Sequence, residues 1–453
     1  MTRPPKPTPR PDRVSLRRYL RLFRRDILSA QPARLYRAWM AEFRTPFFSS
    51  YLCNDPALTK LVLKERPDDF PKSARAREGL APLLGNSVFL TNGETWKRQR
   101  RIIDPAFEGG RLRDTFPAMW AAGEAAAARM AARDGDTLDV EPETSHAAAD
   151  VIFRTLFSIP IEDDIARQVF DRFRDHQRAQ PLLNLGALLP LPAWFPRFHR
   201  RSTRRTAREI RTLITRLTAD RQAAIAAGTA PDDLATKIMT TRDPVTGAGF
   251  DTEEMVDQVA IFFLAGHETS ASALAWTLYL LAMFPEWQER VAEEAAELGE
   301  RPDFAVVSKL TVARDVFREA LRLYPPVPMM VREARCPEQF RDRDVKPGSP
   351  IVLSPWHQHR HERLWERPDD FDPGRFAGEN GKRCLREAYM PFSAGPRVCT
   401  GAGFAMVEGP LLLAMLVRAC RFDLVADKPA VPVAHLTVRG RDGIWLKVSA
   451  RQT

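Results

Sequence analysis

Cysteine is scarce in this chain of 453 residues: Cys53, Cys336, Cys384, Cys399 and Cys420 form an odd set with no CxxC pair and no zinc-like spacing. That argues against a disulfide framework and a structural zinc site. No signal-peptide apolar core precedes them, so a reducing, cytoplasmic setting is expected. Also missing are an internal repeat, a zinc finger, an RNA-binding signature and any face where aromatic and basic residues interleave. A net charge of +10 therefore does not point to nucleic acid. Nine of the ten charges come from residues 1–45, where twelve Lys and Arg meet three Asp and Glu.

Apolar side chains are abundant, at 44%, enough for a large core. A basic segment over residues 1–40 and a single domain over 41–453 are expected. Within the first, PPKPTPRP (4–11) reads as extended chain, and VSLRRYLRLFRRDIL (14–28) places Leu16, Tyr19, Leu20, Phe23 and Ile27 on one helical face, with arginines on the other. Such a helix either caps the domain with its apolar side or makes peripheral contact with anionic lipid; it is too short to span a bilayer.

From Val259 to Phe284 the chain is apolar for twenty-six residues, with His267 and Glu268 as the acid–base interruptions. Acidic residues flank it on both sides, so a helix buried all round fits better than a membrane span. AGHETS lies near its middle, where glycine costs about 1 kcal/mol against alanine and a buried acid needs polar company. Gly266 can admit a flat group to the backbone, while Glu268 and Thr269 offer a proton donor and a hydroxyl. The same pattern also suits a helix-packing groove with a back-bonded threonine. A metalloprotease is excluded, because Ala271 stands where HExxH needs its second histidine.

KLTVARDVFREALRLYPP (309–326) predicts a helix with Thr311 as N-cap and Pro325–Pro326 as its stop. Glu319 and Arg322 share one face; alone they are commonly a surface ion pair worth under about 1 kcal/mol. Arg375 in FDPGRF (371–376) can turn that pair into a lock between helix and loop. PLLNLGALLPLPAWFP (181–196) is too irregular for a helix and suits a lid. After residue 325, VPMMVREA and SPIVLSP read as strands, 357–391 as irregular chain and 402–419 as a final helix.

PFSAGPRVCTG (391–401) holds one cysteine among glycines, a proline and an arginine. A metal-ligating thiolate needs backbone N–H donors, a tight turn and a low-dielectric neighbour. Gly395 with Pro396 supplies the turn, Phe392 the apolar cover, Arg397 positive charge, and Gly401 room at the start of the next helix. The competing reading is an inert thiol in a hairpin.

FSAGPRVCTG closely resembles the haem-binding pattern F-x-x-G-x-R-x-C-x-G of the cytochrome P450 family. AGHETS, EALR, FDPGRF and WKRQR (96–100) resemble the family's other marks and occur in the family's order. The resemblance implies a mainly α, prism-shaped fold with a smaller β lobe, gripping haem b between the central helix and the cysteine loop. It implies Cys399 as the iron ligand; Trp96, Arg100, Arg397 and Arg332 at the propionates; Ala265 against the cofactor; Glu268 and Thr269 as the proton relay; and Glu319, Arg322 and Arg375 as a structural triad. Phe262, Phe263, Val327, Met329 and Met330 are expected to line an apolar substrate pocket, a role that competes with ordinary core packing. Thr400 and Gly374 depart from the family's usual residues without removing a ligand.

The implied activity is insertion of one oxygen atom from O2 into a hydrophobic organic substrate, by hydroxylation or O-dealkylation. With no flavin or iron–sulfur segment after residue 420, NAD(P)H electrons are expected through a separate ferredoxin or flavoprotein reductase. Arg100, Arg101, Arg383 and Arg386 are candidates for its landing patch. A peroxide-using relative, an oxygen-independent haem isomerase and a haem sensor or carrier are the other readings, and the Glu268–Thr269 pair speaks against each. In texture the chain resembles bacterial, soluble members related to fatty-acid hydroxylases.

Overall fold

Among the described residues helices predominate, and the strands form four small sheets. The structure, a computed structural model, describes residues 3–44, 49–179, 201–300, 302–434 and 436–451. The irregular segment 181–196 lies outside the described residues.

Contacts group the chain into two units, the first comprising Met1–Phe70, Gly123–Ala147 and Thr269–Thr453. Its largest sheet runs in the order Met40–Arg44, Ser49–Cys53, Pro350–Leu353, Met330–Glu333. Tyr51, Cys53, Ile351 and Leu353 turn one face of these strands into a core with Val62, Leu63, Phe70 and Phe340. The opposite face is packed too, Leu52 joining Leu35 and Ala41, and the antiparallel register sets Arg332 opposite Ile351.

The helix Thr311–Leu323 forms where its apolar face predicts. Its start is capped differently from the expectation. Thr311 is the first helical residue and makes no cap of its own; the carboxylate of Glu294, seventeen residues away, accepts from Thr311 Oγ1 (3.0 Å), Val312 N (2.7 Å) and Ala313 N (2.9 Å). A negative charge at a helix N-terminus also complements the dipole. Ala402–Ala419 is, among the described residues, the helix long and apolar enough to cross a membrane, and most of it is buried inside the protein.

The N-terminal segment packs on this first unit as an extended strap. Pro4 and Pro7 are buried, Pro5 O accepts from Tyr324 Oη at 2.8 Å, and Lys6 pairs with Asp369. Arg10 is buried, donating to Ala30 O (2.6 Å), Pro11 O (2.7 Å) and Asp12 O (2.8 Å). Ser15 caps the helix Leu16–Arg25 by accepting from Arg18 N. No residue of that helix is buried, and its apolar face is half-covered, with Arg10 over the Tyr19 ring at 5.6 Å.

The second unit, Pro71–Ala122 with Ala148–Glu268, is helical. Arginines of the helix Gly93–Ile103 tie into it: Arg98 to Glu254 at 2.6 Å and Arg101 to Asp243 at 2.5 Å. Arg101 also holds Glu94, so it is not available to a partner as the sequence suggested. The central helix runs Thr252–Met283, longer than the apolar stretch because polar first-turn residues extend it to an acidic N-terminus.

Candidate active site

The cysteine loop is shaped by backbone before any side chain acts. Gly395 has φ +69°, and a Cβ there would stand 1.8 Å from Leu63 O. Both conformation and space demand glycine. Gly395→Ala is therefore expected to lower stability by roughly 2–4 kcal/mol, the combined scale of a left-handed alanine and a backbone clash. Chemical unfolding of the purified variant measures this, and an unchanged midpoint would refute it.

Cys399 N donates to Phe392 O at 2.9 Å, closing the loop, and the Phe392 ring packs on Ala273, Phe317 and Leu321. The ring thus anchors the loop to the helix Thr311–Leu323. Cys399 is exposed, which removes the inert-buried-thiol reading. The contrast with Cys53, Cys384 and Cys420 is chemical: burial pushes their thiols up, Cys420 to about 11, and keeps them protonated. Gly401 has ordinary dihedrals, and no protein atom lies within 4 Å of where its Cβ would stand, so its use is space.

Behind the loop, the acid and two arginines make a buried lock. Glu319 and Arg322 are both fully buried and paired twice at 2.8 Å, and Arg375 Nε donates to Glu319 Oε1 at 2.9 Å. Arg322 also donates to the carbonyls of His359 (2.8 Å), Pro368 (2.7 Å) and Asp370 (2.9 Å). A surface ion pair is thereby ruled out. His359 passes the restraint onward: Met390 N donates to its Nε2 at 2.8 Å, one residue before the cysteine loop begins. Burial, with the Arg322 charge beside it, pushes this imidazole down to about 3, so it stays neutral and able to accept. His359 falls in a stretch that reads as irregular from sequence; the signal there is the histidine-rich HQHRH run.

Arg332 is buried, and burial with the charge of Arg397 beside it lowers its pKa to about 10. Its hydrogen bond is to its neighbour's carbonyl, Val331 O, at 3.2 Å. A guanidinium in so little water calls for an acidic ligand. In the second unit Trp96 is buried and Arg100 lies 5.9 Å from its ring, paired with Asp104 at 2.7 Å. The Asp104 pair competes with the propionate role expected of Arg100.

On the central helix, Ala265 is exposed amid buried neighbours. Gly266 is not the entry for a flat group: a Cβ there would meet Ile152 Cδ1 at 2.4 Å, so this glycine lets the helix Glu141–Phe157 approach. Glu268 is 6% exposed and accepts from Gln177 Nε2 at 3.0 Å. Thr269 follows it, half-buried. Next, Ser270 Oγ donates to Glu408 at 2.7 Å, a fully buried carboxyl that burial pushes up to about 8 and therefore keeps protonated at neutral pH.

Of the expected pocket residues, Phe263 is a core residue. It sits among Phe153 (4.5 Å), Phe173 (6.1 Å) and Phe157 (6.2 Å). Phe262 stays half-buried beside Phe107. Val327 is exposed; Met329 and Met330 are half-buried, Met330 against the sheet core. Leu436 was missed: Val438 N donates to Pro326 O at 3.0 Å, bringing that exposed leucine's segment beside Val327.

A haem fits these donors: an exposed thiol on a loop fixed by a neutral imidazole and an ion-pair lock, open space at Gly401, and the buried Arg332 guanidinium suited to a carboxylate. Such a chain is of the haem-thiolate class. The family model for cytochrome P450 matches residues 44–444. A cyclooctat-9-en-7-ol 5-monooxygenase of Streptomyces melanosporofaciens is 34% identical over 84% of this chain and 82% of its own length. A cytokinin hydroxylase of Arabidopsis thaliana is 28% identical over 86% and 76%. The crystal structure of the cytochrome P450DA haem domain superposes with a TM-score of 0.82 at 23% identity, covering 99% of this chain and 98% of that one. The chain belongs to the cytochrome P450 family and is a P450 monooxygenase, an oxidoreductase whose family cofactor is haem. Its relatives include plant and Streptomyces proteins alike.

Proposed function

We propose that this protein inserts one atom of O2 into a hydrophobic organic substrate, by hydroxylation or O-dealkylation, with electrons from NAD(P)H delivered by a separate ferredoxin or flavoprotein reductase. The observation that carries this reading is the buried acid Glu268 followed by the half-buried hydroxyl of Thr269 in the central helix. An oxygenase must move protons without admitting bulk water, and a carboxyl beside a threonine hydroxyl serves that need. Relatives whose names specify cyclooctat-9-en-7-ol and 11-oxo-beta-amyrin as substrates support a bulky apolar substrate class.

Bound haem, ligated by a thiolate, supplies the chemistry that activates dioxygen. Cys399 would hold it, and Arg332 and Arg397 would bind its propionates. Val327, Met329, Met330 and Leu436 would contact the substrate. Arg383 and Arg386 are exposed on the helix Glu379–Glu387, which leads directly into the cysteine loop, and suit an acidic electron donor. Substrates are to be found by the spin-state shift of the Soret band. With one in hand and a surrogate reductase, Thr269→Ala is expected to keep consuming NAD(P)H while product per NAD(P)H falls by about tenfold or more and peroxide rises. Unchanged product yield would remove the relay from the account.

A further inference from the structure

We propose that Gln177 is a positioning residue for proton delivery: its side-chain amide holds the Glu268 carboxyl in place, so that the helix Asp164–Ala179 governs the acid. The proposal rests on the assignment of Glu268 to the relay. Its basis is a row of contacts along one helix face. Residues 170, 173 and 177 recur at helical spacing. Phe170 meets the His267 ring edge-on at 5.5 Å, Phe173 meets Phe263 at 6.1 Å, and Gln177 Nε2 donates to Glu268 Oε2 at 3.0 Å. Two aromatic contacts fix the register of the two helices, and the third contact, which is polar, falls on the acid.

The chemistry of the third contact matters. A neutral amide fixes the direction of a buried carboxyl through one hydrogen bond and brings no charge of its own. Described titratable groups on the packed helices are engaged elsewhere. His176 is held near Thr206 Oγ1 at 2.8 Å, with burial lowering it to about 4, and is neutral. His267 faces Phe170, Arg174 lies over the same ring at 5.6 Å, and Arg154 of the helix Glu141–Phe157 pairs with Asp150 at 2.8 Å.

The test uses the haem-loaded full chain. Its first readout is the Glu268 carboxyl band in difference infrared spectra, identified as the band absent from Glu268→Gln. Gln177→Leu is expected to shift that band, because the carboxyl loses a hydrogen-bond donor. Gln177→Lys, which restores an N–H donor, is expected to keep a hydrogen-bonded band. The second readout is turnover with a surrogate reductase and a substrate chosen by Soret shift. Here Gln177→Leu should raise the share of electrons ending in peroxide by roughly threefold, with substrate affinity within about twofold of wild type. If Glu268→Gln lowers product yield while Gln177→Leu keeps the wild-type carboxyl band and peroxide share, the role of Gln177 falls alone. If Glu268→Gln itself leaves yields unchanged, the relay falls and this proposal with it.

Discussion

Glu319→Gln is expected to leave too little folded protein to carry haem. Glu319 has no exposed surface and accepts from Arg322, Arg375 and the backbone N of Asp372. Glutamine keeps the shape but removes the charge, so two guanidiniums lose their counter-ion, Arg322 with no solvent contact at all and Arg375 with little. Breaking one buried ion pair in this way costs about 3–5 kcal/mol, against a typical total stability of about 5–15 kcal/mol. The damage also travels, because Arg322 holds the carbonyl of His359 and His359 holds Met390 at the entrance to the cysteine loop. Haem content per folded chain should therefore fall together with the urea midpoint. A variant with the wild-type midpoint and full haem content would show that the lock is dispensable.

Cys399→Ser has the largest expected effect on activity. Serine preserves size and the backbone bond from residue 399 to Phe392 O, so the loop and fold should survive. What is lost is the soft, anionic ligand: a serine hydroxyl stays protonated near neutral pH and binds iron weakly. Monooxygenase turnover is expected to fall by at least about a thousandfold, and any haem retained should lack the thiolate-type spectrum. Far-ultraviolet circular dichroism should remain that of the wild type. A Cys399→Ser protein with wild-type turnover would reassign the ligand, and the other exposed thiol, Cys336, would be the next to examine.

Much of this site was legible as local pattern. The cysteine loop, the acid–threonine pair, the Glu319–Arg322 spacing and Arg375 each announce themselves within a few residues, since turn chemistry and helical periodicity are local properties. The errors arose where distant chain decides. Gly266 reads as an opening in a helix until Ile152 is seen to occupy it. Thr311 reads as a cap until Glu294 arrives from another helix. Arg101 reads as a free surface cation, yet Asp243 and Glu94 claim it. Phe262 and Phe263 are indistinguishable by type; only the cluster of Phe153, Phe157 and Phe173 makes the second a core residue. His359 was invisible for the same reason, because its function lies in joining carbonyl and amide groups far apart in sequence.

The central claim is a sulfur ligand from residue 399 to haem iron. Its most direct test is the absorption spectrum of the purified holo-protein, reduced and exposed to carbon monoxide. The account predicts a Soret band of the thiolate-ligated type, abolished in Cys399→Ser. A histidine-type band in the wild type, or a thiolate-type band that persists in the variant, would contradict it.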